Sequence, residues 1–160
     1  MFVLKFRLSK KGVGFFALAL SALMALLVSV MVALPGNPKG GSKSERKAYI
    51  YSLGYRFGEE SKKEIVIPER FGKLYEKYNS LQKEAGMGLE DYAGEKAMLY
   101  SYKLENFGEN DVYLNLIVFE EKIIGGDVST LYSDGFMLPL ASREDNLKAI
   151  EGKRNGNKAR

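Results

Sequence analysis

Apolar and polar positions follow three rhythms along the chain. The first is an unbroken apolar run. From Gly12 to Leu34, GVGFFALALSALMALLVSVMVAL holds 23 residues without a charge. A helix rising ~1.5 Å per residue crosses a ~30 Å hydrocarbon core with that run. Ser21 and Ser29 are its only hydroxyl residues, and Pro35, Gly36 and Pro38 stop the helix beyond it. The pattern predicts a transmembrane helix over 12–34, a basic cytoplasmic segment over 1–11 and a Pro/Gly/Ser linker over 35–44.

The second rhythm has the period of a helix. Ser44, followed by Glu45 and then Ala48, Tyr49, Ile50 and Leu53, predicts a short helix over 45–53 that Gly54 ends. Phe71, Leu74, Tyr75, Tyr78 and Leu81 make one apolar stripe, opposed by Lys73, Glu76, Lys77, Lys83 and Glu84. That spacing predicts a helix over 69–84, ended by Gly86, with the aromatic stripe buried on a sheet.

The third rhythm is period two. Glu64–Ile67 is compact and β-branched and predicts a strand of four to five residues that Pro68 ends. Alternation then predicts strands at Lys96–Leu104, Val112–Phe119 and Ile123–Ser129. The middle one is apolar on most of both faces, which places it centrally. The tight turn at Glu120-Glu121 is unusual, because Glu is poorly suited to the positive φ of a two-residue hairpin loop. Phe136–Leu140 reads as a last edge strand folding onto the sheet or, failing that, as an exposed apolar patch that marks a partner site. The fold class expected is α+β: an N-terminal transmembrane helix, then a domain at 45–142 in the order helix-strand-helix-strand-strand-strand, with the long helix packed on an antiparallel sheet. Residues 143–160 read as a polar, basic, partly disordered tail, with a turn of helix near Leu147 and Ile150.

Charge sets the orientation. Lys5, Arg7, Lys10 and Lys11 precede the apolar run, while Lys39, Lys43, Arg46 and Lys47 follow at a distance. Retention of positive charge on the cytoplasmic side puts the N-terminus inside and the domain outside. A cleaved signal peptide fits less well: the run is long for one, and Ala33-Leu34-Pro35 makes a poor cleavage site. Residues 42–142 carry 13 Lys/Arg against 17 Asp/Glu, so the folded part is acidic between two basic ends. A nucleic-acid binder needs its cations on the folded part, and none is expected here.

Several blocks together resemble a known family. They are Val66-Ile67-Pro68-Glu69-Arg70-Phe71, Tyr75-Glu76-Lys77-Tyr78-Asn79-Ser80-Leu81-Gln82, Leu89–Gly94, Ile123-Ile124-Gly125-Gly126-Asp127-Val128 and Asp134-Gly135-Phe136. Over about residues 45–138 the chain resembles the DUF4830 family of Firmicutes, mostly clostridial, which are small proteins with one N-terminal membrane helix. It departs from that pattern at Tyr55, where Trp is expected, and at Glu120-Glu121, where Asn-Gly or Asp-Gly is usual. The resemblance implies a clostridial-type membrane protein and carries no assigned activity.

Composition narrows the chemistry. The chain has no Cys, His or Trp, which excludes disulfides, thiol nucleophiles, His-based triads and Cys- or His-ligated metals. No catalytic constellation, metal or cofactor is implied. The most suggestive cluster is Gly125, Gly126 and Asp127, with Asp134 and Gly135 one loop later. Two glycines in a strand suggest a bulge or a close approach. Either these residues frame a ligand or cation site, or the glycines let a helix or a ring lie flat while the carboxylates cap turns. Two carboxylates are few for Ca²⁺, which takes six to eight oxygens. The first reading of function is an extracytoplasmic domain that binds or regulates an envelope partner, tethered to the bilayer through residues 12–34. The alternatives are a cell-wall hydrolase using Asp127, Asp134 or Glu120, and an envelope sensor for a cation or small molecule.

Overall fold

The computed structural model describes residues 36–158 except 109, 110, 133 and 134, with side chains as far as Gly152. The transmembrane helix expected at 12–34 lies outside the described residues. Among those described, no helix is long and apolar enough to cross a membrane. Residues from Asn37 onward form one compact unit.

Its core is a five-stranded antiparallel sheet in sequential order: β1 (Phe57–Val66), β2 (Lys96–Leu104), β3 (Val112–Phe119), β4 (Lys122–Thr130) and β5 (Met137–Pro139). Three helices accompany it: α1 (Lys43–Ser52), α2 (Lys73–Glu84) and α3 (Arg143–Lys158). The α+β class and the central place of β3 agree with the sequence pattern. The strand at Phe136–Leu140 is present as β5, paired with β4.

The differences have physical causes. The expected strand of four to five residues is ten long, because β1 is an edge strand exposed along most of its length. Such a strand needs no apolar alternation. The cap of α1 is Ser42 rather than Ser44. Its hydroxyl accepts from Glu45 N at 3.2 Å and the Glu45 carboxylate accepts from Ser42 N at 3.0 Å, a reciprocal capping box. The linker is pinned at its centre: Ile123 N donates to Pro38 O at 2.8 Å and Gly40 N to Glu121 O at 2.7 Å. Over the described part of the tail a helix runs from Arg143 to Lys158, longer than the single turn expected near Leu147 and Ile150. Ser142 caps α3, and buried Asn146 donates to Tyr55 Oη at 2.9 Å and to Pro139 O at 3.0 Å. Burial pushes the Tyr55 phenol up to about 12, although the Asn146 bond opposes the shift. Glu120 and Glu121 do adopt positive φ, 43° and 68°, so the tight hairpin closes with residues that favour it little.

The two sheet faces differ. On one, Ile50 of α1, Leu147 and Ile150 of α3, and the Tyr102, Leu114, Leu116 and Val128 row form the larger core. On the other, α2 covers a smaller cluster around Ile67, Leu89, Ala97, Ile117 and Ile124.

Arg46 ties α1 to the larger core. It is 4% exposed, its Nε donates to Tyr102 Oη at 2.8 Å, and its Nη1 donates to Gly40 O and Gly41 O, each at 3.0 Å. Its guanidinium carbon lies 3.6 Å from the centre of the Tyr100 ring, and Nη2 is 3.6 Å from Glu60. A planar fork with several donors fits this site and a lysine does not. Replacing Arg46 with Ala leaves two carbonyls without their donor and Glu60 without its nearest cation, so Arg46→Ala is expected to cost about 3–5 kcal/mol. Arg46→Lys is expected to recover little of that loss in urea unfolding.

Candidate functional site

Strand register places a polar row across the sheet face that α2 half covers. Ser61 pairs with Ser101, Ser101 with Asn115, Asn115 with Asp127 and Asp127 with Pro139. Directly opposed residues on one face sit close enough to bond. Ser101 Oγ donates to Asn115 Oδ1 at 2.6 Å. Asn115 Nδ2 donates to Asp127 Oδ1 at 2.9 Å. From the same strand Ser129 Oγ donates to that oxygen at 2.6 Å, and from α2 the Tyr78 hydroxyl donates to Oδ2 at 3.1 Å.

Asp127 is 4% exposed. Burial raises its pKa above the usual aspartate value, and the bonds from Ser129, Asn115 and Tyr78 pull the other way. Burial and the neighbouring Asp127 charge push the Tyr78 phenol up as well. The hydrogen bonds of Asp127 run to two neutral hydroxyls and an amide. Paired-carboxylate catalysis needs a second acid beside the first. Among the described residues no group of three or more Asp or Glu could hold a metal ion.

The glycines have a different task. β4 is bulged where Ile117 pairs with Gly125 and Val118 with Ile123, leaving Ile124 as the extra residue. The side chain of Gln82, fully buried on α2, reaches this stretch, and its Oε1 accepts from Gly126 N at 2.6 Å. A Cβ on Gly125 would stand 2.9 Å from Gln82 Oε1 and 3.1 Å from Leu89 Cδ2. One on Gly126 would stand 2.1 Å from Asn115 O. The pair therefore lets the helix and the neighbouring strand approach the sheet. Gly135 lies at the β4–β5 turn against Thr130, where a Cβ would overlap Thr130 Oγ1. It is not gathered with Asp127, and Asp134 lies outside the described residues.

Sequence reasoning missed Asn115 and Ser129 as partners of Asp127, and Ser101 as the partner of Asn115. The available sign was a lone Asn in the middle of an apolar strand. It also misjudged the stripe of α2. The helix buries Asn79 and Gln82, whereas Tyr75, Tyr78 and Leu81 are only half-buried and Leu74 is 85% exposed. Asn79 Oδ1 accepts from Leu89 N at 2.8 Å, so both buried amides serve backbone donors.

This arrangement leaves two adjoining grooves. One, of about 870 Å³, runs over Leu74, Tyr75, Tyr78, Leu81 and Met137, with Lys73 and Lys77 along it. The other, of about 660 Å³, opens between Tyr75, Tyr78 and Met137 above the Ser101–Asn115–Asp127 row. Comparison of the chain with family models, with curated proteins and with solved structures finds no match.

Two outcomes are expected. Gly126→Ala should destabilise more than Gly125→Ala, because backbone cannot yield as the Gln82 side chain can. A value of about 1–3 kcal/mol is expected for Gly125→Ala and a larger one for Gly126→Ala, both read by urea unfolding. For Asp127 the folded-state pKa is raised, so the stability contributed by its protonated form is complete below the unfolded value of ~3.9. That stability is lost as pH rises through the folded value. Asp127→Asn mimics the protonated acid, since the Tyr78 hydroxyl can turn to accept. The variant should match the wild type at acid pH and gain on it progressively toward pH 7. A gap that does not change with pH would count against this assignment.

Proposed function

We infer that the chain is a single-pass membrane protein of the DUF4830 kind, whose extracytoplasmic domain binds an envelope protein through the exposed side of α2. The tether is the apolar run at 12–34, and the orientation follows from the cations ahead of it. The observation that carries the binding reading is the uncovered apolar line on α2. Leu74 stands out at 85% exposure, next to Met137 at 50% and the half-buried rings of Tyr75 and Tyr78. An apolar patch rimmed by polar residues is what partner sites look like.

Charge supports the choice of partner. Lys73 and Lys77 flank the patch, and among the described residues neither is in an ion pair. A partner segment with apolar side chains and acidic flanks fits both features. Asp127 acts in this reading as the post that fixes Tyr78, and through it the tilt of α2.

The test places a photoreactive amino acid at position 74 of the full chain in its own membrane. One envelope protein should be captured in a defined adduct. Lys73→Glu with Lys77→Glu should lower the adduct about tenfold, in line with charge complementarity of one to two kcal/mol. The same probe at position 148, on α3, should give none. Equal labelling at 74 and 148, or indifference to the charge reversal, would remove the proposal.

A further inference from the structure

We propose that the free edge of β1 pairs with the same edge of a second copy of this chain, antiparallel and centred on Ser61. β1 is the outermost strand, its inner side is taken by β2, and no described backbone group bonds along its outer side. β1 is irregular between Phe57 and Glu60, and from Glu60 to Val66 its register with β2 is unbroken, so that stretch of unpaired edge is a template for another strand.

Lysines on an edge usually repel such a strand. Here they come with their complement. The stretch Glu59-Glu60-Ser61-Lys62-Lys63 carries opposite charges in mirror order about Ser61. With Ser61 opposite Ser61, Glu60 faces Lys62 of the second copy and Glu59 faces Lys63 of the second copy, each pair occurring twice by symmetry. Directly opposed residues in an antiparallel pair share their hydrogen-bonding direction, so allowed registers move in steps of two. One step in either direction sets Glu60 against Glu60, or Lys62 against Lys62. The charges therefore select one register.

A second observation points to the same place. Glu60 Oε2 is buried and has no hydrogen-bond donor, with Lys43 Nζ remaining 3.7 Å away. A buried acceptor without a donor is costly. In the dimer, Lys62 of the second copy arrives on the face that Glu60 occupies. Glu59 and Lys63 are exposed on the other face and are in no ion pair among the described residues. Ser61, Lys62 and Lys63 border the second groove and not the one over Leu74, and the two proposals are read at different positions, so failure of either leaves the other standing.

The experiment uses the full chain in its membrane. The natural sequence has no Cys, so Ser61→Cys introduces a single thiol. Under mild oxidation Ser61→Cys should form a disulfide-linked dimer at least about tenfold faster than Ser80→Cys, an exposed position on α2. In the Ser61→Cys chain, Lys63→Glu should slow linking about tenfold, because two attractive pairs become two repulsive ones. Glu59→Lys should do the same. The combined Glu59→Lys/Lys63→Glu exchange restores mirror order and should restore the rate. Linking at position 61 no faster than at position 80, or a combined exchange as slow as Lys63→Glu alone, would overturn the proposal. These exposed substitutions leave the core untouched, so slow linking cannot be ascribed to a lost fold.

Discussion

The domain depends on one buried amide. Gln82 carries its Oε1 from α2 into the sheet and takes the N–H of Gly126 at 2.6 Å. A ladder N–H ordinarily lies in the plane of the sheet and bonds to a strand. The bulge at Ile124 frees this one, and an unpaired buried donor would cost about 1–3 kcal/mol. Glycine is required on both sides of the contact, because a Cβ at either position would strike Gln82 or the Asn115 carbonyl. Bulge, glycine pair and glutamine are thus one device. It draws α2 down by its polar side, and the helix then lies with Asn79 and Gln82 inward and Leu74 outward.

That tilt determines what the open part of the face offers. Near Ile117, Ile124 and Leu89 the helix closes the sheet with apolar side chains. One row further along, the closure becomes polar, through Tyr78 to Asp127 and on to Asn115 and Ser101. The carboxylate is held at four-per-cent exposure by three neutral donors. Such a group positions a helix well. Acid–base work by a carboxylate pair would ask for a second acid in the same network.

Much of the fold was legible where one physical demand ruled. Lys96–Leu104 and Val112–Phe119 have the limits that period-two alternation suggests, because both are interior strands packed on two faces. β1 was not legible at its N-terminal half, since Gly58 and Glu59 meet solvent and solvent imposes no alternation. α3 was hidden by Gly152, Asn155, Gly156 and Asn157, which are poor helix formers. Its start is decided by tertiary contacts, from the Ser142 cap to the Asn146 bond with Tyr55. Of the site, Asp127 and the glycine pair could be singled out from the sequence, but their separate tasks could not. Gln82 lies 43 residues before Gly125 in the chain, and nothing local announces that a glutamine will be the residue that goes inside. A stripe of Tyr and Leu outweighs it on any count of polarity, yet two half-buried tyrosines and an exposed leucine are what the bulge leaves room for.

Stability and recognition fall on different faces as a result. Among the described residues the face under α1 and α3 holds fourteen buried core side chains, against five in the cluster under α2. Apolar burial contributes roughly 25 cal/mol per Å², and most of the buried apolar side chains lie on the first face, where Arg46 is also enclosed. The second face can leave Leu74 and Met137 in water because the fold does not rely on them. A domain with its core displaced to one side in this manner can change the residues it presents from α2 without risking its fold. The edge of β1 has the same freedom, being attached to the core through Phe57 and Glu60 and exposed from Ser61 to Glu64.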